Sequence, residues 1–481
     1  MMNTKKFEKP KVGLLMLGSP RFRNLGEGLS RGTYHERKLI DVENFVRPLK
    51  DFLKLVDPGI IYTREDVKNA IKLFFAEGVD CIVANFVSWS EDFAWIRFLR
   101  DMPEIPILFV NIAKDKVTFE DTLDEDDFID YLCAGTLVGS LEGSGSVPRT
   151  NRKDVKIVMG SMKEIQEKIL SFSKIAWVRS ILRDSTVGLL ANYNEAMWST
   201  YIDPYNLFTR IGPELRFITY TTLNEEIEKV TDEEVKTYKT KLEANHPVMD
   251  DVDDSKFYAA VRGSLGLAKL TERLGIDVMV FNDIDVPMFE MIGHRPSFYP
   301  ETYERIKSVL VPEADMGAGI LTFALKLMSD KRINFIEPFH IEAEKGTFAA
   351  GHAGPNDHTD PDVQKNVVIS RDVRFSKTHY KHAGAPFAWY RISAGRKTMA
   401  QLVEDNGKYK LVATLVDSLE GKHLLATYSH SIFRPVVPVK ELFERILKIG
   451  TTQHFALVDG EYLEELSTFA EMMGFEYHEI K

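Results

Sequence analysis

The chain has 481 residues, of which 44% are hydrophobic and 28% charged, a composition typical of a globular protein. This length exceeds what one hydrophobic core usually serves, so two or three domains are expected. The 61 basic and 72 acidic side chains give a net charge of -11, and no basic stripe that would neutralise phosphates occurs, which argues against nucleic acid as a partner.

The apolar run at residues 12–17 is shorter than the hydrophobic core of a signal peptide. No run of about eighteen apolar residues, the length that spans a membrane, occurs elsewhere. We therefore expect a soluble, cytoplasmic protein without a membrane partner. The two cysteines, Cys81 and Cys133, lack the spacing of a metal or redox motif and are expected to be buried, reduced thiols.

Between residues 11 and 110, apolar runs alternate with segments of helical period, of which the first covers residues 42–56. The runs VGLLML, CIVANF and IPILFV predict strands, and Thr63 is placed to cap a helix that begins at Arg64. Continuous apolar strands are typical of a parallel sheet covered on both faces. No GxGxxG motif follows the first strand, so a dinucleotide site has no fingerprint here.

Two polar segments, residues 120–130 and 139–146, are expected to be solvated connections. A second alternating unit then starts at TVGLLANYN, continues through LRFITY and a charged helical stretch over residues 223–244, and reaches GIDVMVFND. This pattern predicts a second α/β domain.

After about residue 335 the pattern changes to strands without long helices, in the runs NVVIS, FAWYRI, KYKLVATLV and LLATYSH. The segment EYLEELSTFAEMMG predicts a closing helix. We therefore predict two Rossmann-like α/β domains with parallel sheets, residues 1–170 and 171–345, followed by a mainly β C-terminal domain at residues 346–481.

Potential catalytic and metal-binding residues are concentrated near the predicted boundary between the second and third domains, and binding sites are common at domain boundaries. Five of the twelve histidines lie there: His340, His352, His358, His379 and His382. Three carboxylates stand in the same region: Glu313, Glu337 and Glu342.

Glu313 follows Pro312 at the start of a predicted helix, where a carboxylate also favours the helix dipole. The alternative interpretation is an ordinary charge at a helix N-terminus. Gly317 and Gly319 each lower the stability of that helix, and the close approach of a ligand or of another backbone explains them better.

Glu337 ends the apolar stretch INFI, a predicted strand, and carboxylates at strand ends face the crevice where α/β sheets place ligands. The alternative is a solvated strand end. His352 lies in the turn AAGHAGP and His454 opens a short apolar strand, although a lone histidine is more often structural. Two carboxylates with one or two histidines suit Mn²⁺ or another divalent cation such as Mg²⁺ or Co²⁺.

Four segments occur in the order seen in the L-fucose isomerase/L-arabinose isomerase superfamily: EADMGAGILTFALKLMS, IEPFHIE, GHAGP and TTQHFALVDGEYLEELSTFAEMMGFE. By this resemblance Glu313 matches the first metal-binding catalytic glutamate and Glu337 the second acidic ligand, with Glu342 as its rival. His352 matches the histidine of the HxG turn, and His454 matches the C-terminal histidine ligand. CIVANFVSWSEDFAWIRFLRDMPEIPIL and VFNDIDVPMFEMIGHRPSFYP also resemble the superfamily, so the resemblance covers most of the chain.

The resemblance implies a manganese-dependent homo-oligomer, a trimer or hexamer, whose active site is completed by the N-terminal domain of a neighbour. Arg21 and Arg23, in the loop LGSPRFRNLGEG, are predicted to bind substrate at the neighbour's metal site, where they suit an anionic substituent. Glu342 and His358 are the other predicted substrate contacts.

At two positions the sequence differs from the superfamily, so the resemblance does not identify the sugar substrate. Ala353 stands where L-fucose isomerases have a cysteine, and Gln453 stands where L-arabinose isomerases have a histidine.

The predicted function is a divalent-metal-dependent aldose–ketose isomerase of a pentose, a 6-deoxyhexose or a related neutral or anionic sugar. It would act through a cis-enediol intermediate, with Glu313 and Glu337 as the acid/base pair. The alternatives are a metal-dependent sugar epimerase or lyase, and a non-catalytic sugar-binding protein. A third alternative, zinc-dependent hydrolysis through His379 and His382, has weaker support, because HxxH lacks the spacing that places both ligands on one helix face.

Overall fold

The computed structural model of the chain describes residues 4–117, 124–359 and 366–481. The chain forms two compact units, one of Phe7–Ser180 and one of Met1–Lys6 with Ile181–Lys481. The three-domain limits given above stay a prediction. Among the described helices, none is long and apolar enough to cross a membrane.

The unit Phe7–Ser180 contains a six-stranded sheet with the order β2-β1-β4-β5-β6, in which β3 also pairs with β1. All of its described pairings are parallel, as the continuous apolar runs predict. The strands are β1 Lys11–Leu17, β2 Lys54–Val56, β3 Ile60–Ile61, β4 Cys81–Phe86, β5 Ile107–Ala113 and β6 Val155–Ser161. The helices that begin in this unit are Tyr34–Val46, Arg64–Glu77, Phe93–Asp101, Glu125–Ala134, Thr136–Ser144, Ser146–Arg149 and Met162–Arg183.

The first helix covers Tyr34–Val46 rather than residues 42–56, so the predicted bounds were wrong, and Lys54–Val56 forms the strand β2. The α-helix ends at Val46, and a 3₁₀ turn containing Pro48 follows, because proline has no N–H to continue the helical hydrogen bonds. Thr63 does cap the next helix: its side chain accepts from the backbone N–H of Asp66, and Asp66 bonds back to Thr63.

The glycine-serine segment at residues 139–146 is helical, so the expectation of a loop was wrong. A Cβ on Gly139 would lie 2.3 Å from the carbonyl oxygen of Ser88, and one on Gly143 would lie 2.5 Å from the ring of Phe86. The glycines therefore let this helix approach the sheet closely, at the cost of helix propensity.

The unit that contains Ile181–Lys481 begins with a four-stranded parallel sheet of order β10-β9-β7-β8. Its strands are β7 Thr186–Leu190, β8 Glu214–Ile218, β9 Val278–Phe281 and β10 Val309–Val311. The helices around it are Pro204–Asn206, Tyr220–Glu228, Asp232–Asn245, Asp254–Leu274, Val286–Ile292, Thr302–Arg305 and Met316–Ser329. The charged stretch 223–244 is thus two helices, the second opened by a capping box at Thr231.

The C-terminal region is a closed antiparallel barrel, a feature that the sequence pattern of a mainly β region does not specify. Its six strands follow the cyclic order β15-β18-β11-β12-β17-β16, with β19 added parallel to β16. The strands are β11 Ile333–Glu342, β12 Thr347–His352, β15 Gly395–Asp405, β16 Lys408–Ser418, β17 Ser429–Pro435, β18 Phe455–Asp459 and β19 Glu476–Ile480. β13 Val368–Arg371 and β14 Pro386–Trp389 form a separate pair.

The predicted closing helix is present as Leu463–Met473, whereas the helix Val439–Ile449 was not predicted. Buried apolar side chains from several barrel strands pack in one cluster that includes Ile336, Phe348, Met399, Val412 and Phe433. The barrel strands therefore contribute to one shared apolar core.

Gly317 allows the helix Met316–Ser329 to pack closely against β15. A Cβ at this position would lie 2.2 Å from the carbonyl oxygen of Leu402 on β15, so the close approach is to another backbone. We predict that Gly317→Ala lowers the free energy of unfolding by about 1–3 kcal/mol through overpacking. Calorimetric unfolding tests this, with Gly145→Ala as control, since the nearest atom to that Cβ is 3.5 Å away. Equal unfolding temperatures for the two variants would disprove the packing role.

Candidate metal centre

Glu313 lies in a turn between β10 and the helix Met316–Ser329. Its φ is 59° and that of Ala314 is 57°, a left-handed conformation that costs free energy for residues with a Cβ. The backbone N–H of Glu313 donates to Oδ1 of Asp283 at 2.9 Å, and that of Ala314 donates to the Phe281 carbonyl at 3.0 Å. These two bonds, both to the end of β9, hold the strained turn.

The Glu313 carboxylate lies between two imidazoles that come from the barrel. Its Oε1 is 3.3 Å from Nε2 of His352, the last residue of β12. Its Oε2 is 3.1 Å from Nε2 of His454, the residue before β18. The exposed fractions of the three residues are 2%, 1% and 0%, so this group is withdrawn from solvent.

A second carboxylate orients His454. Nδ1 of His454 is 3.0 Å from Oδ2 of Asp315, while Oδ1 of Asp315 accepts from the N–H of Ala318 and caps the helix. Because Nδ1 is bound in this way, Nε2 is the nitrogen left to bind another group. The Phe335 ring packs against both imidazoles, with centroid distances of 4.7 Å to His352 and 4.6 Å to His454.

The charged forms of His454 and Glu313 stabilise each other. Burial alone would lower the pKa of His454, but hydrogen bonds to Asp315 and Glu313 raise it to about 9. Burial alone would raise the pKa of Glu313, but the bonds to His352 and His454 hold it well below its ordinary value. Glu313 therefore favours the protonated form of His454, and His454 favours the ionised form of Glu313.

The donor set fits a divalent metal ion. The ligand atoms of Glu313, His352 and His454 all lie within 4.8 Å of one another. The neighbouring contacts of 3.1 and 3.3 Å match the separation of about 3 Å expected for adjacent ligands, each about 2.0–2.2 Å from one ion. Nδ1 of His352 is buried and has no hydrogen-bond partner among the described residues, so no contact of the kind that Asp315 makes with His454 fixes the tautomer of this imidazole.

Glu337 lies near this group without belonging to it. It pairs with Gly351 on β12, the residue before His352, and is half-buried. Burial raises the pKa of Tyr428, the charges of Arg374 and Arg295 lower it, and those of Glu337 and Glu313 raise it, so both carboxylates act on one phenol. Within the described parts of the chain, the predicted ligand Glu337 is not among the clustered ligand atoms.

The other predicted substrate contacts in this unit lie in different settings. Glu342 is at the exposed end of β11, where its carboxylate forms an ion pair with Lys345 at 2.6 Å. His358 is buried, its Nε2 accepts from the N–H of Tyr299 at 3.3 Å, and burial lowers its pKa to about 3. His358 is therefore a neutral side chain that already bonds to backbone.

Arg21 and Arg23 belong to the unit Phe7–Ser180, in the segment after β1. Arg21 is 72% exposed in its side chain and forms an ion pair with Glu91 at 3.0 Å. Arg23 lies over the ring of Tyr62, 5.2 Å from its centroid. Their predicted role at a neighbour's metal site stays a prediction.

A buried hydrogen-bond network around Arg295, which connects to the turn of Glu313 through Asp283, was not predicted. Arg295 donates to Asp283 at 3.2 Å, to Asp372 at 2.9 Å and to the Ala353 carbonyl at 3.0 Å. Burial would lower the pKa of Arg295, but Asp372 and Asp283 raise it, so the guanidinium stays charged. The network thereby ties the turn of Glu313 to the residue after His352. The expectation that Glu337 ends a strand was wrong, because β11 continues to Glu342, whereas the same strand-end rule indicates Asp283, which follows β9.

Affinity for a divalent ion should rise with pH, because His454 must lose a proton before its Nε2 binds a metal. With its pKa raised to about 9, metal-free His454 is protonated at neutral pH. The dissociation constant for Mn²⁺ should therefore fall about tenfold per pH unit between about pH 6 and 8. Calorimetric titration in buffers of different ionisation enthalpy measures the proton release. Asp315→Asn should weaken this dependence, and a dissociation constant that stays level with pH would contradict it.

No protein-family model matches the chain, and no curated protein matches it. One similar solved structure is an ABC transporter periplasmic solute binding protein from Actinobacillus succinogenes 130z with bound D-allose, at 14% identity and a TM-score of 0.16, covering 59% of this chain and 81% of that one. Another is a periplasmic sugar binding protein of an ABC sugar transporter from Legionella pneumophila, at 12% identity and a TM-score of 0.15, covering 67% of this chain and 97% of that one. Superpositions with TM-scores this low are no evidence of a shared fold or a shared ligand.

Proposed function

We propose that the chain is a divalent-metal-dependent aldose–ketose isomerase, with Mn²⁺ as its metal. The observation that carries the proposal is the buried Glu313 carboxylate between Nε2 of His352 and Nε2 of His454, with a second carboxylate, Glu337, opposite Gly351, the residue before His352. Isomerisation needs a polarised sugar oxygen and a proton moved between adjacent carbons, and this combination supplies both.

The residues of the proposed site have separate roles. Glu313, His352 and His454 would hold the metal, which supplies a Lewis acid to the sugar oxygens when bound. Asp315 keeps Nε2 of His454 turned toward Glu313. Glu337 is half-buried, whereas Glu313 is buried, so the two carboxylates differ in environment, as an acid and a base must.

In this proposal Glu313 and Glu337 pass a proton between C1 and C2 of the sugar through a cis-enediol. The Phe335 ring, packed on both imidazoles, keeps water from that side of the group. The substrate would be a pentose, a 6-deoxyhexose or a related sugar, and the active form a cytoplasmic trimer or hexamer. Arg21 and Arg23 of a neighbour would bind the far end of the substrate.

The test is to incubate Mn²⁺-loaded protein with separate pentoses, 6-deoxyhexoses and acidic or sulfonated aldoses, and to measure ketose formation. A matched sample treated with a chelator and then reloaded with Mn²⁺ serves as control. We expect one class of aldose to yield ketose, activity to disappear with the metal and to return on reloading.

Other outcomes would contradict the proposal. Epimer formation or carbon–carbon cleavage in place of ketose would assign the same residues to an epimerase or lyase. Tight sugar binding without any product, in metal-loaded protein, would indicate a binding protein.

A further inference from the structure

The unit Phe7–Ser180 contains a cavity of about 410 Å³ that shares no residue with the Glu313 group. This volume lies within the range of about 300–1,000 Å³ typical of small-molecule sites. Its lining is largely apolar, from side chains that include Met16, Val42, Phe45, Val87, Ile112 and Met162. The cavity can therefore enclose a compact apolar group.

The cavity lies where a parallel sheet favours a ligand. Met16, Asn85 and Ile112 line it, and they stand at the carboxyl ends of β1, β4 and β5. β1 has β2 on one side and β4 on the other, so the strand order reverses beside β1. In open α/β sheets, ligands bind in the crevice at the carboxyl ends next to such a reversal.

Lys38 supplies an unused donor at this cavity. It lines the cavity, although its side chain is only 4% exposed. Its ammonium group donates to Oδ2 of Asp41 at 2.8 Å and to the Cys133 carbonyl at 3.0 Å. An ammonium group has three N–H donors, so one has no acceptor among the described residues. A buried donor without an acceptor costs free energy, and an acceptor oxygen on a ligand would remove that cost.

The charges at the cavity favour an anion. Asp41 is shared between two lysines, because Nζ of Lys114 lies 3.8 Å from the same oxygen. Lys116 and Asp115 also line the cavity, which gives three ammonium groups against two carboxylates. The excess positive charge is next to the apolar wall, so one ligand can contact both.

We propose that this cavity binds a small organic oxyanion: a compact apolar body that carries one carboxylate, sulfonate or phosphate group. The apolar body packs between Phe45 and Met162, and an anionic oxygen accepts from Lys38 and Lys114. The cavity shares no residue with the Glu313 group, and neither Arg21 nor Arg23 lines it, so the site is separate from the proposed isomerase site.

The experiment compares two probes of nearly equal shape on the full chain, 2-naphthalenesulfonate and the uncharged naphthalene-2-sulfonamide. Fluorescence titration is expected to show one site per chain, with the sulfonate bound at least about fivefold more tightly, as one charge contact provides. Lys114→Gln should reduce that preference, and Val42→Trp should abolish binding of both probes by filling the cavity. Lys72→Gln, which alters an exposed lysine of the same unit, should leave both titrations unchanged.

Lys38→Met is a second variant, expected to lower sulfonate affinity more than Lys114→Gln because Lys38 is buried. If that variant does not fold, the Lys114 and Val42 variants still decide the question. Equal affinity for sulfonate and sulfonamide would overturn the proposal. Binding that survives Val42→Trp, or that weakens equally in Lys72→Gln, would also overturn it, since the probe would then lie elsewhere.

Discussion

Replacing Glu313 by glutamine should cause the largest loss of function in this chain. The amide keeps the volume of the side chain but removes the negative charge between His352 and His454, which would serve as a metal ligand. Loss of an outer partner already costs about 10–100-fold in metal affinity, so loss of a ligand should cost more than about 100-fold. Isomerisation should fall by at least about 10²–10⁴-fold, the contribution of one proton-transfer group.

The measurement is Mn²⁺ content after dialysis beside the isomerisation rate of the same sample. Glu290→Gln is the matched control, because Glu290 is exposed on the helix Val286–Ile292. It should retain both metal and activity. A Glu313→Gln protein with full metal content and near wild-type turnover would show that Glu313 has neither role.

Glu337→Gln should separate catalysis from metal binding. Since the clustered ligand atoms of the described residues come from Glu313, His352 and His454, this variant should keep most of its metal. Turnover should nevertheless fall by about 10²–10⁴-fold, because the partner in proton transfer is lost. The double variant Glu313→Gln/Glu337→Gln should be little slower than the poorer single variant, since both residues serve one pathway.

Glu342→Gln is the control on the same strand, because Glu342 is exposed and paired with Lys345. It should behave as wild type in both metal content and rate. If Glu342→Gln loses metal while Glu337→Gln keeps both metal and activity, the assignment of the second acidic residue is reversed.

The parallel sheets were predictable because their strands are continuous apolar runs, such as β4 and β9, which only a sheet covered on both faces accommodates. Closure of the barrel was not, because it depends on the pairing of β18 with β15 and with β11, strands far apart along the chain. The helix Thr136–Ser144 was missed because its glycines indicate a loop locally, whereas close packing against Ser88 and Phe86 requires them.

Three predicted site residues, Glu313, His352 and His454, come together although 141 positions separate the first from the last. Residue type and the resemblance to the isomerase superfamily indicated them as ligands, but only the fold brings the barrel's histidines to the turn before a helix. Asp315 was missed because, two residues after Glu313, it has the local pattern of an ordinary helix cap. It is that cap, and its second carboxylate oxygen also bonds to His454.

The measurement that tests the metal centre most directly is an anomalous difference map from a crystal soaked in Mn²⁺. We predict one strong peak per chain, bounded by the Glu313 carboxylate, Nε2 of His352 and Nε2 of His454, and its absence in a Glu313→Gln crystal. A map of the wild-type protein without a peak there, with Mn²⁺ bound at another place or not at all, would contradict the account.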